Sequence, residues 1–234
     1  MYKFLGIGAQ KAGTTWLFRM LSQHPNIAFP HGKEIHYWNR QYPKHPPEDY
    51  LSKFISNTLA EGEITPAYAF LPLETIKQIH HHAPDLRIIY IIRNPIDRAW
   101  SSARMALVRA EMTFTEASDQ WFIDHFNSQG SLLRGDYERS ISNWTQVFNS
   151  DNLLILSFED IHQSPQSLLE KCCQHIGVPN FSNKTLQVIN PEKKVFSGSS
   201  NTLNPVLQEH LKALYKDKIQ SLSTTLNRDL SHWL

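Results

Sequence analysis

The sequence predicts an α/β protein with a P-loop-like, three-layer fold, in which helices flank a central parallel sheet. Short apolar runs alternate along the chain with runs of helical spacing, and this alternation is typical of a parallel sheet. Residues 86–92, Leu-Arg-Ile-Ile-Tyr-Ile-Ile, predict a central strand covered on both faces. Because the chain has 234 residues, of which 41% are hydrophobic, we expect a single domain over residues 1–234.

Strands are predicted where short apolar runs are bounded by proline, glycine or polar residues. The predicted strands are residues 2–8, 27–29, a strand that ends at 63–65, 86–92 and 153–158. Helices are predicted where apolar residues recur every three or four positions, and proline or glycine marks several of the helix ends. The predicted helices are residues 14–23, 51–60, 73–82, 95–111, 114–127, 136–149, 165–176 and 205–226. Residues 30–50 are expected to be a long loop with one or two helical turns, and residues 181–203 a long polar loop.

Composition and charge restrict the class of protein. The formal net charge of +1 argues against a nucleic-acid partner. No run of about 20 apolar residues predicts a membrane span, and the N-terminus lacks the pattern of a signal peptide. The adjacent Cys172 and Cys173 are expected to be buried thiols, which fits a reducing compartment. We therefore expect a cytoplasmic, bacterial protein. The alternative is a catalytic domain of a longer, membrane-anchored protein.

The most informative segment is residues 6–16, Gly-Ile-Gly-Ala-Gln-Lys-Ala-Gly-Thr-Thr-Trp. A glycine-bearing turn from strand to helix directs backbone N–H groups and the positive helix end at an anion. The spacing of Gly8 and Gly13 is that of a nucleotide P-loop, but Thr14 stands where that loop has its lysine. Lys11 lies inside the loop instead, where it could stabilise a departing anionic oxygen. The other residues expected to bind the anion are Ala12, Gly13, Thr14, Thr15 and Trp16.

A second candidate site is residues 93–101, Arg-Asn-Pro-Ile-Asp-Arg-Ala-Trp-Ser. Arg93 ends the strongest predicted strand, and Pro95 is well placed in the first turn of the next helix. Ligands of parallel sheets bind at the carboxyl ends of the strands, so Arg93 is a candidate for gripping a phosphate group. Ser101 lies about two helical turns further on and could donate to the same group. The alternative role for Arg93 is an ion pair with Asp97.

These two motifs in this order resemble the sulfotransferase family, whose members use 3′-phosphoadenosine 5′-phosphosulfate (PAPS). Two further segments resemble the heparan-type glycan branch: residues 33–38, Lys-Glu-Ile-His-Tyr-Trp, and residues 63–68, Glu-Ile-Thr-Pro-Ala-Tyr. The resemblance implies that Lys11 and its loop bind the 5′-phosphosulfate and that Arg93 and Ser101 bind the 3′-phosphate. It also implies sulfuryl transfer to a hydroxyl group, or to an amine as second choice, on a carbohydrate or small molecule. No metal is implied.

The resemblance suggests Glu34 as the general base, because the glycan branch uses a glutamate at the matching position. His36 is the rival base, since the small-molecule sulfotransferases use a histidine. The alternative role for Glu34 is a surface ion pair with Lys33. Ile64 departs from the glycan branch, which has a lysine there, and the cysteine pair of the eukaryotic glycan enzymes is missing. These departures argue against a polyanionic glycan as acceptor. A surface for stacking on a sugar or an apolar ring is expected from Tyr37, Trp38, Tyr42 and Tyr50.

Two other functions fit parts of the pattern. A P-loop kinase of nucleotides or small molecules would share the loop, but it needs a lysine directly after Gly13 and a strand-end aspartate for magnesium. A non-catalytic domain that binds 3′,5′-adenosine bisphosphate (PAP) would keep both motifs without transferring a group. Lys193, Lys194 and Gly198 lie where the family places a late loop over the cofactor, so the resemblance implies a cofactor contact there.

Overall fold

The fold is built on five parallel strands. The structure is a computed structural model and describes residues 2–192 and 202–234. Lys193, Lys194 and Gly198, the predicted late loop, lie outside the described residues. The strands are β1 Tyr2–Gly8, β2 Ile27–Ala28, β3 Ala60–Ile64, β4 Arg87–Ile92 and β5 Leu153–Ser157. The predicted fold class, a parallel sheet flanked by helices, is confirmed.

The sheet has the strand order β2-β3-β1-β4-β5. β1 is therefore the middle strand, with β3 on one side and β4 on the other. Gly6 of β1 pairs with Ile64 of β3 and with Ile89 of β4, so the three carboxyl ends lie at one edge. The chain leaves β1 toward β2 and later adds β4 on the opposite side, and such a reversal is where α/β sheets bind ligands.

Eleven helices lie in the described part of the chain. Their bounds are α1 Thr14–Leu21, α2 Pro47–Leu51, α3 Leu73–His82, α4 Pro95–Arg109, α5 Asp119–Asn127, α6 Gln129–Gly135, α7 Tyr137–Thr145, α8 Asp160–Gln163, α9 Pro165–Ile176, α10 Asn183–Ile189 and α11 Pro205–Leu226. Helical turns that are not α-helical occupy Tyr37–Gln41, Pro66–Phe70, Ser150–Asn152 and Ser231–Trp233.

The described chain forms two compact units. The sheet unit comprises residues 2–92 and 140–192 and holds all five strands. The helical unit comprises residues 93–139 and 202–234 and holds α4, α5, α6 and α11. α7 begins in the helical unit and continues into the sheet unit. The expectation of a single domain stays a prediction.

Several predicted boundaries are wrong. Residues 52–59 are not helical; the helix of this region is α2, which Pro47 starts at its first turn. Residues 114–118 precede the helix, because Ser118 is the N-cap of α5 and accepts from the Trp121 N–H. The prediction missed α6, a seven-residue helix capped by Ser128. Its sequence, Gln-Gly-Ser-Leu-Leu-Arg-Gly, has no clear periodicity.

The predicted loop at 181–203 is also partly wrong, because it contains α10, whose N-cap is Ser182. β5 is half-buried along most of its length, as befits a strand at the sheet edge, and not a fully buried strand. Cys172 and Cys173 are free and buried in α9, as expected, and burial raises the pKa of the Cys173 thiol to about 11.

The aromatic segment does not form the expected stacking surface. Tyr37, Trp38 and Tyr50 are almost fully buried, and the rings of Tyr37 and Tyr50 stack with centroids 4.5 Å apart. Trp38 and Tyr42 pack against each other, and only Tyr42 is partly exposed. These rings form an aromatic core within the 30–50 segment. Aromatic side chains carry large apolar areas, so their burial is strongly favourable.

Candidate active site

The loop that follows β1 and the first two residues of α1, together residues 9–15 (the anion loop), turn the chain sharply at Gly13. Gly13 is the N-cap residue with φ 88°, and a Cβ at this position would lie 2.2 Å from Ile161 Cδ1. Only glycine fits, because an L side chain is strained at this φ and has no space here. α1 begins without a side-chain cap, which leaves the N–H groups of its first turn available for an anion.

The predicted loop residues differ in what they can offer. Thr14 is buried, Lys11 and Thr15 are half-buried, and all three can present polar groups at the start of α1. The Ala12 N–H is already engaged, since it donates to the Ala9 carbonyl at 3.2 Å. The Trp16 side chain is buried and its indole donates to the Pro191 carbonyl at 3.0 Å, so only its backbone could serve an anion.

Lys33 also reaches the start of α1, a contact that the sequence did not predict. Its Nζ lies 3.3 Å from Thr14 Oγ1 and 3.3 Å from Thr15 Oγ1. The side chain is 10% exposed, and burial lowers the pKa of Lys33 against the opposing effect of Glu34. The signal that could have found it is its place beside the candidate base, in a segment expected near the loop.

Glu34 is held between two basic side chains. Its Oε1 lies 3.3 Å from Lys33 Nζ, and its Oε2 lies 3.0 Å from His36 Nε2. The Glu34 side chain is 33% exposed, so the carboxylate can meet a substrate from solution. The structure thus brings Glu34 and His36 together and links both to the anion loop through Lys33.

His36 is oriented by hydrogen bonds at both ring nitrogens. Nε2 lies 3.0 Å from Glu34 Oε2, and Nδ1 lies 3.2 Å from Asn39 Oδ1. Both partner atoms are oxygens, so a ring N–H can donate to either of them. With an Nε2 proton His36 donates to the Glu34 carboxylate, and both ring nitrogens are engaged.

A second carboxylate, Glu63, lies fully buried at the end of β3. Oε1 accepts from the hydroxyls of Tyr50 at 2.5 Å and Tyr68 at 2.9 Å, and Oε2 accepts from Thr65 Oγ1 at 2.8 Å. The Ile35 backbone N–H also donates to this carboxylate. Burial raises the pKa of Glu63, and these hydrogen bonds oppose the rise only in part.

The Glu63 network fixes the backbone of the two residues that follow Glu34. Ile35 donates directly to Glu63, and the His36 N–H lies 3.5 Å from Thr65 Oγ1, whose own proton goes to Glu63. Glu63 belongs to a segment that resembles the glycan branch, but the sequence did not predict this role. Its burial depends on aromatic residues from distant parts of the chain.

Arg93 and Ser101 belong to the helical unit. Asn94 caps α4 by accepting from the Ile96 N–H at 2.9 Å, and its amide donates to the Trp233 carbonyl at 3.0 Å. The Arg93 carbonyl accepts from the Tyr137 hydroxyl at 2.7 Å, which fixes the backbone at the start of the motif. The Arg93 guanidinium lies 4.0 Å from Asp97, at the limit of an ion pair. Ser101 is half-buried on α4.

Neither a metal-binding cluster nor a membrane-spanning helix is found among the described residues. Among residues 2–192 and 202–234, no three His, Cys, Asp or Glu side chains are grouped so that they could hold a metal ion. Within the same residues, no helix has both the length and the apolar composition needed to cross a membrane.

The chain is similar to known sulfotransferases. It is 24% identical over 242 residues to the bifunctional heparan sulfate N-deacetylase/N-sulfotransferase 1 of Caenorhabditis elegans, covering 94% of this chain and 28% of that protein. It is 24% identical over 173 residues to the 3-beta-hydroxysteroid sulfotransferase of Cavia porcellus, covering 71% and 56%. The chain thus spans about half or less of the length of these curated relatives.

A solved structure shares the whole fold. The sulfotransferase from Alicyclobacillus acidocaldarius superposes with a TM-score of 0.77 at 28% identity, covering 100% of this chain and 98% of that one. The sequence model of the family described as "Sulfotransferase domain" matches residues 3–230. With the parallel sheet, the glycine-capped anion loop and this match over nearly its full length, the chain belongs to the sulfotransferase domain family, whose members use PAPS.

Proposed function

We propose that this chain transfers a sulfuryl group from PAPS to a hydroxyl group of its acceptor, with an amine as the second choice. The observation that carries the proposal is that an anion loop and a solvent-accessible carboxylate share one lysine. Lys33 Nζ is 3.3 Å from Thr14 and Thr15 and 3.3 Å from Glu34. A donor-binding group and a base therefore lie within one side chain's reach, which is what a displacement reaction needs.

The donor set fits a phosphosulfate. The Lys11 and Lys33 ammonium groups, the Thr14 and Thr15 hydroxyls and the uncapped first turn of α1 are all hydrogen-bond donors for anionic oxygens. Arg93 and Ser101 would hold the 3′-phosphate. When bound, PAPS supplies both the sulfuryl group and a phosphate leaving group. Lys11 would stabilise the negative charge that develops on that leaving oxygen.

Glu34 is the proposed base, in preference to His36. Each oxygen of its carboxylate makes one contact, with Lys33 or His36, and keeps a lone pair for the proton of an acceptor hydroxyl. His36 would orient the carboxylate through its Nε2 proton. Lys33 and His36 thus hold the carboxylate in position to accept that proton.

The acceptor we propose is a carbohydrate or small molecule that carries little negative charge. The curated relatives include enzymes named for heparan sulfate and for hydroxysteroids, so both acceptor classes occur among similar proteins. Ile64 is buried and offers no charge to an anionic acceptor, and the net charge of +1 gives no field that would attract a polyanion. We further propose a bacterial, cytoplasmic setting, which the free buried thiols support.

The test begins with ligand binding and ends with transfer. Wild-type protein should be stabilised against heat by PAP without magnesium, and should then move label from PAPS to at least one acceptor of a hydroxyl library. Lys11→Ala and Glu34→Gln should each lower turnover by about 100-fold or more, because removal of a charge-stabilising donor or a base costs that much. Lys77→Ala, which removes an exposed lysine, is the matched control.

The outcomes separate the three candidate functions. Release of a nucleoside diphosphate that requires magnesium would favour the kinase. Stabilisation by PAP without transfer to any acceptor would favour a non-catalytic binding domain. Arg93→Ala should weaken PAP binding toward the affinity for adenosine 5′-phosphate, which lacks the 3′-phosphate. Unchanged discrimination between these two nucleotides would remove Arg93 from the donor site.

A further inference from the structure

Lys33 makes contacts on both sides of the proposed reaction. A lysine ammonium has three donors and no acceptor, and Lys33 directs them at Thr14 Oγ1, Thr15 Oγ1 and Glu34 Oε1, each at 3.3 Å. All three distances are slightly longer than the usual N–H···O separation, so none of these bonds is at its optimum. An anionic oxygen bound at the start of α1 is a stronger acceptor than these hydroxyls and could draw the Lys33 ammonium group toward itself.

The contact with Lys33 determines the hydrogen-bonding direction of the Thr14 and Thr15 hydroxyls. Because Lys33 can only donate, both hydroxyls act as acceptors toward it. Each keeps its own O–H proton, which can then be donated to an anion at the start of α1. Lys33 thus adds a positive charge to the anion loop and orients two further donors for the same anion.

Position 64 cannot supply this second positive charge. Position 64, where the resemblance places a lysine, is a fully buried isoleucine whose side chain packs against Gly6 of β1. The Lys33 side chain is 10% exposed, so its charge is screened by water far less than that of a surface lysine. Burial of a cation next to an uncapped helix start favours the binding of an anion there.

We propose that Lys33 is a second cationic contact, beside Lys11, for the sulfuryl group that is transferred. The inference rests on the proposed function. Lys33 keeps its proton throughout, while the proton of the acceptor hydroxyl passes to Glu34. The bond from sulfur to the acceptor oxygen forms as the bond from sulfur to the phosphate oxygen breaks, and the electron pair stays on that phosphate oxygen. The neighbouring contact with Glu34 ties the donor side of the site to the base.

The test uses the difference between PAPS and PAP, which is the sulfuryl group alone. Affinities of both nucleotides are measured by calorimetry without acceptor, for wild type, Lys33→Met and Lys33→Arg. Lys33→Met should lose about 10-fold or more in affinity for PAPS and less than about 3-fold for PAP, because one charged hydrogen bond to the sulfuryl group is missing. Lys33→Arg keeps the charge and should recover part of the PAPS affinity.

Two results would overturn the inference. Equal losses for PAPS and PAP would mean that Lys33 only maintains the loop, and unchanged affinity for both would mean that it does not touch the donor. If Lys33→Met does not fold, Lys33→Gln serves as the second neutral variant in the same comparison. Wild-type protein that binds neither nucleotide would instead contradict the proposed function, so the two failures are distinguishable.

Discussion

The buried carboxyl group of Glu63 holds in place the chain segment that carries the proposed base, Glu34. A fully buried carboxylate is costly, and here three hydroxyls and one backbone N–H satisfy it without any cation within ion-pair distance among the described residues. Through the Ile35 and His36 N–H groups, these hydrogen bonds connect the segment that carries Glu34 to the end of β3. We therefore regard Glu63 as a positioning residue for the proposed base.

The raised pKa of Glu63 predicts a specific pH dependence of stability. The native state keeps the Glu63 proton at pH values where the unfolded chain has lost it, so unfolding releases a proton. Stability contributed by this group is therefore present below the unfolded pKa of 4.5 and is lost as the pH rises through the folded pKa. The free energy of unfolding of wild type, minus that of Glu63→Gln, should fall as the pH is raised across this window.

Urea unfolding at a series of pH values measures this difference. Glu74→Gln, which changes an exposed carboxylate, is the control and should give a difference that stays nearly constant. A wild-type advantage that grows with pH would mean that the pKa of Glu63 is lowered in the folded protein, contrary to the effect of its burial.

At the scale of elements, the start of α1 depends on one glycine. Gly13 has a left-handed φ, and a Cβ at this position would meet the side chains of Ile161 in α8 and of Phe158, the residue after β5. The anion loop is therefore shaped both by its own sequence and by an element almost 150 residues away in the chain. The left-handed turn at Gly13 sets the direction of α1, and therefore the direction of the N–H groups in its first turn.

Gly13→Ala and Gly177→Ala separate the cost of backbone strain from the cost of side-chain overlap. Gly177 ends α9 with φ 83°, almost the same as the 88° of Gly13, but a Cβ at Gly177 meets nothing within 4 Å. We expect Gly177→Ala to cost about 1–2 kcal/mol of unfolding free energy from backbone strain alone. Gly13→Ala should cost about 1–3 kcal/mol more, because the added methyl group overlaps Ile161.

Thermal or urea unfolding measures both variants, and PAP binding provides a second measurement. Only Gly13→Ala should weaken PAP, since Gly177 is not part of the anion loop. Equal losses of stability would show that Ile161 yields to the new methyl group without cost.

At the scale of the whole molecule, the two units are interleaved along the chain. The sheet unit is made from two separate stretches, and so is the helical unit. Neither unit can be separated by a single cut, because the chain leaves the sheet unit after β4 and returns to it within α7. We propose on this ground that residues 1–234 fold as one domain.

This proposal predicts one cooperative unfolding transition in calorimetry, with equal calorimetric and van't Hoff enthalpies. Trp144→Ala in the sheet unit and Trp233→Ala in the helical unit each remove a buried indole and should cost about 3–5 kcal/mol. Both variants should shift the same transition. Two resolved transitions, each moved by only one of the variants, would contradict a single domain.

The elements that the sequence predicted well are those with strong local signals. Pro165 and Gly177 mark the start and stop of α9, and Pro205 starts α11 at the residue expected. α6 and α10 were missed because each has only seven residues and little periodicity, so tertiary contacts decide whether they are helical. The roles of Lys11, Glu34, Arg93 and Ser101 stay predictions, although the structure places the first two around the same helix start.

The sequence by itself determined the parallel α/β class, the glycine-bearing loop with its displaced lysine, and the resemblance to sulfotransferases that the family match confirmed. These properties reside in short stretches whose residues act on their own backbone. Only the tertiary structure decided that Lys33 reaches Thr14 and Thr15, that Glu63 is buried under Glu34's segment, and that the aromatic rings near residue 40 form core. Such contacts join residues that are far apart in sequence, and the sheet order β3-β1-β4 sets which of them meet.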